Sequence, residues 1–179
     1  MVFKGKAENK ILDYFFVNVS ARHYINELAR ILDLDPKNTY RKLLELEERG
    51  VLGSEFSGKQ RYFFLAAKNR SLKNLRSLFL STAGLERRLR EIMKVDKKIK
   101  QAYLFGSYAQ DKMSLSSDID LLVVGHHSPL KLQKEIGRIQ KEVGREINVI
   151  NLSETEFKEK REKDAFLKNI FSKKIIRLK

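Results

Sequence analysis

Asp118 and Asp120 stand either side of a single isoleucine, at the head of the apolar run Leu121 to Val124. Such a run reads as a strand entering a core. Successive strand side chains alternate, so the two carboxylates share one face, about 6–7 Å apart at the backbone. Held ~5 Å apart, they repel by roughly 3 kcal/mol at an effective dielectric near 20. A pair placed this way beside an apolar run calls for a cation. Mg2+ suits it, because it takes one or two carboxylates and fills its other positions with water and phosphate oxygens. Upstream, Tyr103, Leu104 and Phe105 form another apolar, β-favouring stretch that ends at Gly106 and Ser107, and ten residues separate Ser107 from Asp118. Gly106 permits close backbone approach, and Ser107 could open a short helix whose free N–H groups face an anion.

The elements that must hold these groups follow from the pattern around them. Pro129 to Val143 carries Leu130, Leu132, Ile136, Ile139 and Val143 at helical spacing. Arg145 to Asn151 alternates and reads as a third strand, with Ile147, Val149 and Leu152 assigned to one face and Glu146, Asn148 and Ile150 to the other. In that register Glu146 and Asn148 both face the aspartates, Asn148 nearer and Glu146 at the rim, paired with a lysine or arginine. A slip of one residue would bury both polar side chains. Ser153 and Glu156 form a capping box that starts a helix containing Phe157. Residues 164–172 are helical in pattern, and Lys174 to Leu178 is a candidate closing strand.

A strand ending in Gly-Ser, about ten residues, and then Asp-x-Asp in a strand resembles the signature of the DNA polymerase beta-like nucleotidyltransferases. The resemblance implies a small mixed sheet flanked by helices. It implies that Gly106 and Ser107 hold the triphosphate of ATP or another nucleoside triphosphate, and that Asp118 and Asp120 bind Mg2+. Active members carry a third carboxylate on a later strand, between apolar neighbours. That position here is Asn148, which cannot act as a base and is a poorer metal ligand, so Glu146 is the candidate substitute. Tyr108 stands where minimal members often have arginine, which puts a phosphate contact in doubt.

The first third of the chain has a different organisation. Ala7 to Val17 carries an apolar stripe at Ile11, Leu12, Phe15 and Phe16, and Tyr24 to Leu32 repeats it with Ile25, Leu28, Ala29 and Leu32. Asp35 followed by Pro36 is a helix start, and Gly50 a stop. Val51 to Leu65 reads as a β-hairpin turning at Ser57, Gly58 and Lys59. Three helices and a hairpin, with Ile25 to Arg30, Thr39 to Leu43 and Leu46 to Leu52 as they stand, resemble the winged helix-turn-helix of prokaryotic transcription regulators. The resemblance implies duplex DNA as partner, with the third helix in the major groove and the hairpin on the backbone. Candidate contacts are Lys37, Asn38, Tyr40, Arg41 and Lys42 on the helix and Lys59 and Arg61 on the wing. Docking or dimerisation is the other use of such a module.

Ser71 to Lys94 is helical in pattern, with Gly84 as a kink or an end to its first half. Its apolar stripe could serve as a dimer seam over 71–93. Net charge is +14, and residues 71–100 hold nine basic against three acidic side chains. That balance favours polyanions, or else a solvated surface rich in lysine and glutamate. The absence of cysteine excludes disulfides, thiolate zinc sites and a cysteine nucleophile. His126 and His127 precede Ser128-Pro129 with no third ligand nearby and read as a polar loop. No run approaches the length of a membrane span and the N-terminus lacks a signal-peptide pattern, so the expected location is cytoplasmic, with no membrane partner.

The sequence therefore predicts an α+β chain: a winged helix-turn-helix domain over 1–68, a basic helical connector over 69–100 and a nucleotidyltransferase domain over 101–179. The expected function is Mg2+-dependent nucleotidyl transfer from ATP or another nucleoside triphosphate, tethered to DNA, with a protein partner among the possible acceptors. The alternative is a DNA-binding regulator whose transferase domain is catalytically weak and only binds nucleotide.

Overall fold

The structure is a computed structural model that describes residues 5–66, 71–114 and 117–179. The chain divides into two compact units, Met1–Leu85 with Glu142–Gly144, and Glu86–Lys141 with Arg145–Lys179. The expected domain edge at residue 68 lies outside the described residues. The fold class is α+β, with helices and two separate small sheets.

In the first unit, α1 (Lys6–Val17) buries the stripe expected of it, with Ile11, Leu12, Phe15 and Phe16 all enclosed. A strand absent from the sequence reading follows, β1 (Arg22–Tyr24), before α2 (Ile25–Leu32). Three residues are too few to show an alternation. Pairing defines the strand, with Arg22 opposite Phe64 and Tyr24 opposite Tyr62. The next helix, α3 (Pro36–Glu48), starts where Asp35 accepts the Asn38 amide at 2.7 Å, and proline occupies its first turn. The hairpin follows as β2 (Leu52–Ser57) and β3 (Gln60–Leu65), in a sheet ordered β1-β3-β2. Its turn needs Gly58, whose φ is 60°.

The run from Ser71 to Lys94 folds as two helices, α4 (Leu72–Thr82) and α5 (Leu85–Val95). The break falls at Gly84, as its residue type suggested. The Ala83 and Gly84 amides both donate to the Phe79 carbonyl at 2.8 Å, which ends α4. A Cβ at Gly84 would lie 2.8 Å from the Phe79 ring.

The second unit continues with β4 (Ile99–Phe105), α6 (Gly106–Ala109), β5 (Ile119–Gly125), α7 (Pro129–Val143), β6 (Ile147–Leu152), α8 (Glu154–Arg161), α9 (Ala165–Phe171) and β7 (Ile176–Arg177). The sheet order is β6-β5-β4-β7, with β5 and β6 parallel and β4 antiparallel to both its neighbours. Ile119, Leu121 and Val123 are wholly buried on one face. On the other face Tyr103, Phe105, Leu122 and Val124 pack with Phe157 of α8 and Leu167 and Ile170 of α9. Ile150 and Leu152 also pack on this second face. That corrects the assignment of Leu152 to the face of Ile147 and Val149: β6 continues without a bulge through Leu152, which pairs with Val124, so strict alternation carries it to the side of Ile150. The Ser153–Glu156 capping box is present, the Glu156 amide donating to Ser153 Oγ at 3.1 Å and the Ser153 amide to Glu156 Oε2 at 2.8 Å.

Candidate functional site

Antiparallel pairing of β4 with β5 sets Asp120 opposite Phe105, and the chain leaves β4 at the next residue, Gly106. Gly106 has φ 68°, and a Cβ built on it would lie 2.2 Å from Asp120 Oδ2. Two demands therefore select glycine: a left-handed backbone, and a carboxylate occupying the space a side chain would need. Asp120 is half-buried, and burial, followed by the charge of Asp118, raises its carboxyl pKa above the ordinary aspartate value.

Parallel pairing of β5 with β6 brings Asn148 opposite Asp120. The Asn148 amide then donates from Nδ2 to Asp118 Oδ2 at 3.2 Å. Asp118, Asp120 and Asn148 thus form one cluster, with Gly106 against it and Ser107 following in α6. Glu146 precedes β6, and its carbonyl accepts the Ile119 amide at 3.0 Å while its side chain is exposed. The expected lysine or arginine partner for Glu146 is not found among the described residues. Its neighbour Arg145 instead directs Nη1 to the Ser117 carbonyl at 2.8 Å, which anchors the segment leading into Asp118. Tyr108 is buried within α6.

The donor set fits a divalent cation of the Mg2+ kind. The two carboxylates share one face at the start of β5, and the charge that burial first, and Asp118 second, disfavours on Asp120 is what such a cation relieves. Among the described residues no group of three or more histidine, cysteine, aspartate or glutamate side chains is placed to share a metal. His126 and His127 lie at the opposite end of β5. His127, expected in a polar loop, is buried with Nε2 2.7 Å from Asn151 Oδ1, and His126 is exposed beside Glu154.

One side chain near the cluster escaped the sequence reading. Phe166 of α9 meets Phe105 edge to face at 6.1 Å between ring centres and is 50% exposed. The signal for it was an aromatic on the polar side of a short helix, two residues after the Asp164 cap.

In the first unit, Lys37, Tyr40 and Arg41 project from α3 as exposed side chains, and Lys59 is exposed at the hairpin turn. Arg41 also donates to Asn38 Oδ1 at 3.0 Å, and Lys42 pairs with Glu45 at 2.5 Å. Arg61 is more firmly engaged. It donates to Glu47 at 2.6 Å and to Ser54 Oγ at 2.8 Å, beside the rings of Phe56 and Phe63. These contacts tie the hairpin to α3. Tyr24, Tyr40, Phe56, Lys59 and Arg61 line a shared groove.

A family model described as polymerase beta, nucleotidyltransferase matches residues 87–176, half of the chain, and the chain belongs to this family. The match coincides with the second unit and includes the aspartate pair. No curated protein matches the chain. Three solved structures are similar in part. One is a toxin–antitoxin structure with AMP-PNP, at 18% identity and TM-score 0.39, covering 52% of this chain and 72% of that one. Another is a candidate nucleotidyltransferase from Sulfolobus solfataricus, at 22% identity and TM-score 0.33, covering 51% and 82%. The third is reduced HlyU from Vibrio cholerae N16961, at 15% identity and TM-score 0.36, covering 44% and 78%. At these values the similarities add nothing to the family assignment.

Proposed function

We propose that the second unit binds ATP or another nucleoside triphosphate with Mg2+ and transfers its nucleotidyl group slowly, while the first unit, read as a winged helix, binds duplex DNA. The observation that carries the reading is the pairing of Asp118 with Asp120, whose carboxylate lies against Gly106. Gly106 and Ser107 would cradle the triphosphate, and the two aspartates would hold the cation. When bound, a divalent cation supplies charge neutralisation for the phosphates. In the transfer, an acceptor hydroxyl oxygen bonds to the α-phosphorus as that phosphorus parts from the bridging oxygen, and pyrophosphate leaves. The hydroxyl proton must go to a base. Asn148 cannot take it, since its amide is a donor and already faces Asp118. Glu146, two residues earlier, is the chain's own candidate. The acceptor is a hydroxyl on a protein partner, a small molecule or a nucleic acid end.

The hydrogen bond from Asn148 to Asp118 also favours a second reading, in which the domain binds nucleotide without transferring it and the chain is a DNA-binding regulator. Asp118→Asn tests what the two readings share. Asp118 is exposed, so the variant should melt within a few degrees of the wild type while losing Mg2+-dependent ATP binding by calorimetry. Equal affinity in both proteins would remove the site. Transfer of label from α-labelled ATP to an acceptor separates the transferase from the regulator.

A further inference from the structure

Two ring contacts fix the direction of α9 across the sheet. Phe171, at its C-terminal end, meets Tyr103 at 5.3 Å, and Phe166, at its start, meets Phe105 at 6.1 Å. The helix therefore runs along β4 with its first turn at the Phe105 end, and Phe105 is the cross-strand partner of Asp120. Phe105 and Asp120 share a face, because directly opposed residues of an antiparallel pair point the same way. Phe166 accordingly stands on the side of the sheet that carries Asp120, at the end of β4 where Gly106 begins.

Its exposure sets it apart from the other rings of this layer. Phe157, Tyr103 and Phe105 are at most 8% exposed, and Phe171 is flanked by the Arg161 guanidinium at 4.8 Å. Phe166 is 50% exposed, on the side of α9 that also presents Asn169. Phe105 holds it edge to face and so restricts the ring, which costs a ligand less entropy than ordering a mobile one. A restricted aromatic face open to solvent beside a phosphate site suits a nucleobase. Base stacking on such a ring is strong and tolerant of base identity, because every base has a π-face.

We infer that Phe166 is the stacking platform for the base of the nucleotide, making the ligand a nucleoside triphosphate with purines favoured by their larger overlap. The inference rests on the reading of Gly106, Ser107, Asp118 and Asp120 as a triphosphate site. It assigns Phe166 to binding and specificity and gives it no part in bond making.

The test compares ATP with inorganic tripolyphosphate, each with Mg2+, on the full chain by calorimetry. Wild-type protein should bind ATP more tightly than tripolyphosphate. Phe166→Ala should weaken ATP about tenfold, leave tripolyphosphate unchanged, and abolish the fluorescence quenching of a 2-aminopurine triphosphate, whereas Phe166→Trp should keep all three properties. Unchanged ATP binding in Phe166→Ala would overturn the platform and spare the triphosphate site. Equal loss of both ligands would show that the ring acts only through packing, and would also overturn it. If neither ligand binds wild-type protein, the triphosphate reading falls and the platform falls with it.

Discussion

At the residue scale, Asp120 sits where folding disfavours its charge. Burial and the neighbouring Asp118 raise its pKa, so the folded chain binds that proton more tightly than the unfolded chain does. Stability then falls as pH rises through the window between the ordinary aspartate value and the raised one, and it recovers as pH drops back through that window. Asp120→Asn should therefore melt a few degrees above the wild type at neutral pH, with the gap closing on acidification. A thermal scan across pH checks the sign, and a variant that melts lower at neutral pH would contradict it. Asn148 is the other informative residue. Its amide donates to Asp118, and the sequence resemblance expects a third carboxylate at this position. Asn148→Asp should raise labelled-nucleotide transfer at least severalfold with little change in size. Strong wild-type transfer that vanishes in Glu146→Gln would instead make Glu146 the working base.

At the element scale, the junction of β4 with α6 is the constraint that shapes the site. Gly106 adopts a left-handed backbone with the Asp120 carboxylate against its Cα. Gly106→Ala should cost about 2 kcal/mol or more, from the backbone penalty together with the clash. It should also displace Asp120, so nucleotide binding is lost along with stability. Chemical denaturation and ATP titration measure the two effects, and a variant that is destabilised yet binds normally would break the proposed link between them. The same scale explains Arg61. Sequence patterning suggested a wing cation free for phosphate, but Glu47 and Ser54 hold it within the fold, where it fastens the hairpin to α3.

For the whole molecule, the net charge of +14 makes polyanion binding the first property to measure. If the first unit binds duplex DNA, each phosphate contact contributes about 0.9 to the slope of log affinity against log salt. Lys59→Ala, at an exposed turn, should flatten that slope by about this amount and leave the melting temperature unchanged. Arg61→Ala should instead lower stability, since its partners are internal. Fluorescence anisotropy on a short duplex over a salt series distinguishes the two. An absence of duplex binding even at low salt would turn the first unit toward partner docking. Among the described residues no helix is long and apolar enough to cross a membrane.

Local chemistry was legible in the sequence. The caps at Asp35 and Ser153, the break at Gly84, the turn at Gly58 and the alternation around Asp118 and Asp120 each depend on a few neighbouring residues, and a few residues suffice to read them. Tertiary pairing decided the rest. The strand Arg22–Tyr24 exists because β3 lies beside it, and Leu152 changed face because β6 runs unbroken through Val124's partner position. Asn148 reaches Asp118 across 30 positions of sequence, and Phe166 reaches Phe105 across a longer interval still. Backbone preference and periodicity act over one or two turns, so they announce elements and their faces. Which faces meet, and hence which side chains gather around Asp120, is set by strand order and helix direction, and those are properties of the folded chain.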